Sequence, residues 1–170
     1  ITMNAVITLD GARTVGIMTI GDLPNSHHYE IVPGAGGSLN FNNGSFGNAL
    51  LSKVQSNSNT VSADVINAPV QLSSNLNINV NSGGQNARLD IVGGISQVPG
   101  SSLGVNIMGS GRVTFAGPTA NSYTGPTTVF HRGFGDAGNP TLVLGKAELS
   151  TATTTIADQQ PSNAATASNS

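Results

Sequence analysis

The densest polar cluster in this chain is His27-His28-Tyr29-Glu30. If Tyr29 and Ile31 point inward from a strand, alternation puts His28, Glu30 and Val32 together on the outer face. An imidazole and a carboxylate two residues apart offer two metal ligands or an acid–base pair. Two ligands do not make a site, and a third must come from another part of the fold. His131 is the one remaining histidine. A loop leading into a strand is the simpler reading of this cluster.

The carboxylates point the same way. Asp10, Asp22, Asp64, Asp90, Asp136 and Asp158 are widely separated, whereas glycoside cleavage needs two carboxyl groups converging on one bond. In a coiled architecture Asp64, Asp90 and Arg88 or Arg112 would stack if they held equivalent positions. Isolated, solvated charges are the simpler expectation. The segment Gly83-Gly-Gln-Asn-Ala-Arg-Leu89 has the outline of a calcium-binding nonapeptide, but Arg88 stands where the carboxylate ligand belongs. Gly34-Ala-Gly-Gly37 lacks the Lys-Ser/Thr ending of a phosphate loop. No Gly-x-Ser-x-Gly elbow occurs beside a plausible helix. The absence of cysteine excludes disulfides and thiol chemistry. The expectation is a protein that is not an enzyme and uses no metal or cofactor.

The elements that would carry these residues are short and extended. Charged residues are 8% of the chain, against about 25% in ordinary domains. Polarity comes instead from Ser, Thr, Asn and 22 glycines, all poor in helix interiors. Alternating segments recur at Ala5–Leu9, Val15–Ile20, Tyr29–Val32, Leu39–Phe41, Thr60–Ile66, Leu76–Val80, Leu89–Val92, Leu103–Ile107, Val113–Phe115, Thr127–Phe130 and Leu142–Leu144. Two-residue hairpin signals are scarce, with Asn43-Gly44 the one plain Asn-Gly. Similar strand–corner units recur without a strict period, and aromatics are sparse. These features favour a β-solenoid over a sandwich or barrel, with almost no α-helix. Asn77, Asn79 and Asn81 alternate with Leu76, Ile78 and Val80. That face is either a solvated polar surface or an amide ladder in register with neighbouring coils.

One window carries a family resemblance. Gly109-Ser-Gly-Arg-Val-Thr-Phe-Ala-Gly117, followed by Asn121-Ser-Tyr-Thr-Gly-Pro-Thr-Thr-Val129 and then Thr141-Leu-Val-Leu144, resembles the autotransporter-associated β-strand repeat. Pro118 and Thr119 pad the corner, and Phe130 to Asn139 replace the usual short link. Upstream, Ile7 to Ile20, Tyr29-Glu-Ile31 and Gly36-Gly-Ser-Leu-Asn-Phe41 are similar to the segment that often precedes such repeats. The resemblance implies a right-handed parallel β-helix on a bacterial cell surface or in the extracellular space, and it says little about activity.

Net charge is −2 and the six basic residues are scattered singly, so nothing favours nucleic acid. No apolar stretch approaches the roughly 20 residues of a membrane span. The sequence opens at Ile1 without a methionine or signal peptide, which reads as a mature chain or a piece of a longer one. Two regions are expected: a solenoid over 1–149, and a Ser/Thr/Ala/Asn-rich tail over 150–170 docked on the solenoid or on a neighbouring subunit.

A solenoid's ends expose strand edges and apolar core that must be capped or matched by another chain. The expected role is therefore an extracellular structural subunit that self-associates end to end into a surface filament or matrix fibre. Ile1, Met3, Val6, Ile7, Leu9, Leu149 and Ile156 are the candidate subunit contacts. The alternatives are a non-catalytic spacer or adhesion module of a larger passenger protein, meeting surface glycans or a host surface, and, more remotely, a glycan-active β-helix enzyme.

Overall fold

Runs with an apolar residue at every second position, broken by glycine, proline or asparagine, form strands of three to seven residues. The computed structural model describes residues 3–22, 27–55, 62–82, 87–131, 140–145 and 154–158. The chain winds in coils that lay one strand on each of three faces. The first coil holds β1 (Met3–Leu9), β2 (Ala12–Val15) and β3 (Ile17–Ile20). The second holds β4 (His27–Pro33), β5 (Ser38–Phe41) and β6 (Ala49–Gln55). The third holds β7 (Ser62–Ile66), β8 (Val70–Leu72) and β9 (Leu76–Ser82). The fourth holds β10 (Ala87–Ile91), β11 (Ile95–Gln97) and β12 (Val105–Gly109). Beyond it, β13 (Arg112–Phe115), β14 (Thr127–His131), β15 (Thr141–Leu144) and β16 (Thr154–Asp158) extend two of the three faces.

Strand order is β1-β4-β7-β10-β13-β15 on the first face, β2-β5-β8-β11 on the second and β3-β6-β9-β12-β14-β16 on the third. Every described pairing is parallel. The protein is a parallel β-solenoid, nearly all β. Among the described residues the one helical element is a 3-10 turn over Gly44–Phe46. The Asn43-Gly44 pair therefore opens this turn, with Gly44 at φ +57, and closes no hairpin.

The register explains the core. Ile7, Ile31, Ile66, Ile91, Phe115 and Leu144 form one column on the first face. Val15, Phe41 and Leu72 stack on the second face, and Met18, Leu51, Ile78, Ile107 and Val129 on the third. Interior members such as Ile66, Ile78 and Ile91 have no exposed surface. Each such side chain contributes about 1.5–3 kcal/mol of burial.

Corners set the spacing. Along the first column, equivalent positions are 24 residues apart from Ile7 to Ile31, 35 to Ile66, 25 to Ile91 and 24 to Phe115. The faces keep their register while the corners absorb the difference.

Three strands escape the sequence reading: β6, β8 and β11. In β6 a lysine occupies an inward position and breaks the apolar alternation. The other two have three residues each, fenced by Pro69 and Gly94. The run Val15–Ile20 takes in all of β3 but only the last residue of β2, with Gly16 at the corner between them. The segment Thr154–Asp158 pairs with β14 on the third face.

Candidate functional site

Two places in the fold combine unusual chemistry with a defined setting: the end coils, and a charged pair inside the core. At the first end, β1, β2 and β3 each pair on one side only among the described residues, so three parallel edges stand together there. Ile7 begins the first-face core column and is 44% exposed, against 2% for Ile31 one coil further in. Val6 and Ile17 on the same coil are exposed as well. Arg13 is in register with the core residue Leu39 and forms an exposed ion pair with Asp10. It thus sets a charge over one aliphatic column while the Ile7 column stays open.

At the other end β15 is the outer strand of the first face, with Leu144 at 49% exposure and Val143 also exposed. Of the contact candidates, Leu9 belongs to the buried core. Met3 and Ile156 sit on the two outer strands β1 and β16. Ile1 and Leu149 lie outside the described residues.

The polar cluster of β4 is taken up by coil-to-coil bonding. His28 Nδ1 donates to the Ala63 carbonyl at 3.2 Å, and Glu30 Oε1 accepts from Asn67 Nδ2 at 2.6 Å. His27 Nδ1 lies 3.3 Å from Asp22 Oδ2. No three His, Asp or Glu side chains gather as a metal site among the described residues.

The carboxylates do not stack. Asp64 is in register with Leu89, and Asp90 with Val65, so the two aspartates face opposite ways. Asp90 turns outward and pairs with Arg88 at 2.7 Å. Asp64 turns inward, which corrects the expectation of a solvated charge. It meets Lys53 Nζ at 2.7 Å, and both side chains have no exposed surface. The sequence carried a signal that composition hid. Ala49, Leu51 and Lys53 share one face of β6, and Asp64 shares that of Ile66.

Asparagine supplies much of the remaining cohesion. Asn77 Oδ1 accepts from Asn48 Nδ2 at 3.0 Å and from Asn106 Nδ2 at 2.9 Å, a short amide ladder across coils. It stops there, because Asn79 is flanked by Ser52 and Met108. Asn121 Oδ1 accepts from the Ile95 backbone N–H at 3.0 Å, standing in for a strand at the open edge of β11. Tyr123 is buried, with its hydroxyl against Thr127 Oγ1. A Cβ on Gly125 would lie 2.4 Å from the Leu103 carbonyl carbon. The Asn-x-Tyr-x-Gly spacing thus has a local cause: an amide closes the edge, a ring fills the core and a bare backbone passes the next coil.

Comparison with protein-family models, curated proteins and solved structures finds no match to this chain.

Proposed function

We propose that this chain is a non-catalytic structural solenoid that stacks end to end with further copies of itself, on a bacterial surface or in the extracellular matrix. The open end coils carry the reading. The same core column ends in exposed Ile7 on one side and exposed Leu144 on the other. Parallel strand edges at both ends present backbone N–H and C=O groups that another coil satisfies. Such a contact joins unlike surfaces and propagates instead of closing.

Electron microscopy and light scattering of the purified protein test the idea. Filaments with an axial repeat of one subunit, lost in Ile7→Lys and Leu144→Lys, are the expected result. Single particles at every concentration, unchanged by those substitutions, would refute it.

A second reading is a spacer or adhesion module within a longer passenger protein, where neighbouring coils cover the same ends. The Asn121, Tyr123 and Gly125 arrangement favours it, since that spacing is the part of the chain that resembles a passenger repeat. Non-associating rods together with coil-forming sequence on either side in the native gene product would support this alternative.

A further inference from the structure

Lys53 and Asp64 form one charged rung inside an aliphatic stack. In register, Lys53 lies between Ile20 and Val80, and Asp64 lies beside Leu89. Neither side chain has exposed surface. Lys53 Nζ and Asp64 Oδ2 meet at 2.7 Å without hydrogen-bond alignment, and neither atom has another hydrogen-bond partner among the described residues. The other carboxyl oxygen, Oδ1, accepts the Tyr29 backbone N–H at 2.9 Å. Gly21, at φ +103, brings the chain against the amine, so that a Cβ there would sit 3.0 Å from Nζ.

This is the arrangement that an amide-forming condensation needs. A C–O bond is about 1.2 Å long, so Asp64 Cγ lies within about 4 Å of Nζ, close to the roughly 3–3.5 Å of a near-attack pair. Buried ions are costly where no water solvates them, and moving one proton from Nζ to Oδ2 removes both charges at once.

We propose that Lys53 and Asp64 join through an isopeptide bond that ties the second coil to the third. The neutral amine attacks Cγ and forms the C–N bond. Negative charge gathers on Oδ1, where the Tyr29 N–H is already placed to receive it. The C–Oδ2 bond then breaks, and Oδ2 leaves as water with its own proton and one from the nitrogen. The balance is an ammonium and a carboxylate giving a neutral amide and one water, with no redox change and no cofactor. Dryness drives the step forward, because the product contains no buried charge.

Intact mass spectrometry of the folded full-length chain reads the outcome directly. The expected mass is one water below the sequence mass, and a digest should contain a branched peptide linking Lys53 to Asp64. Dehydration at Asp10-Gly11 would give the same mass loss, so fragmentation must locate the bond, and hydroxylamine must leave it intact. Lys53→Met and Asp64→Leu, singly and together, should restore the full mass. The double variant leaves no lone charge and serves as the folded control. Unlinked Lys53 and Asp64 in folded wild-type protein after prolonged incubation would overturn the proposal and leave an ion pair only.

Discussion

Ile7, Ile31, Ile66 and Ile91 are the same residue in one column, and they differ in what covers them. Truncating each to alanine therefore measures the cover itself. Ile66 and Ile91 are fully buried, so Ile66→Ala and Ile91→Ala should each cost about 2–5 kcal/mol, the transfer term plus an unfilled cavity. Ile7 is 44% exposed. Its truncation leaves no enclosed cavity and forfeits only part of the transfer term, about 1 kcal/mol. Chemical denaturation followed by far-ultraviolet circular dichroism is the suitable assay, since the chain has no Trp and two Tyr. The midpoint shift should rise steeply from Ile7 to Ile66 in dilute solution, with the slope of the transition unchanged. If copies stack, the cost at Ile7 should climb toward the interior value as concentration increases, because the next coil then supplies its cover. A flat profile in dilute monomer, with Ile7→Ala as costly as Ile66→Ala, would refute the assignment of Ile7 to an open end.

Further outcomes follow from individual contacts. Asn121→Ala should destabilise by about 1–3 kcal/mol, because the Ile95 N–H loses its acceptor; amide hydrogen exchange at Ile95 should quicken with it. Gly125→Ala should be more damaging than an ordinary surface change, since the clash is with the Leu103 backbone and not with a yielding side chain; a thermal melt compares it with Ser102→Ala at an exposed loop position. Lys53→Ala should cost about 3–5 kcal/mol by stranding Asp64 in the core. The Lys53→Met/Asp64→Leu double variant should recover the part of that loss due to the lone carboxylate but not the part due to the missing cross-link, so its midpoint should lie between those of Lys53→Ala and the wild type.

The winding was legible because alternation survives in single strands: Leu76, Ile78 and Val80 predict an inward aliphatic face, and they occupy one. Scarce hairpin signals pointed to parallel pairing for a sound reason, since a coil reaches its neighbour only after two further faces. Strand β6 was missed because Lys53 was read by its charge and not by its parity with Ala49 and Leu51. A charged residue inside a core depends on a partner eleven positions away, and that pairing follows from corner geometry, which local pattern does not encode. The amide ladder is a similar case. Whether Asn77 or Asn79 finds asparagine across the gap depends on corner lengths, and the register delivers Asn106 to the first and Met108 to the second.

Because all described strands are parallel and stacked coil on coil, the hydrogen bonds between them lie along the axis of the rod. A pull on the two ends loads these bonds one coil at a time, like a coil of rope paid out turn by turn. Each turn adds about 4.8 Å of folded length, yet the 24-residue turn from Ile7 to Ile31 holds about 80 Å of extended chain. Tension would therefore draw out a reserve of roughly seventeen times each turn's resting height. Single-molecule stretching should show this as a series of small, similar force peaks, and one tall peak would contradict it. A rod that is stiff when compressed is in this way a yielding tether when pulled.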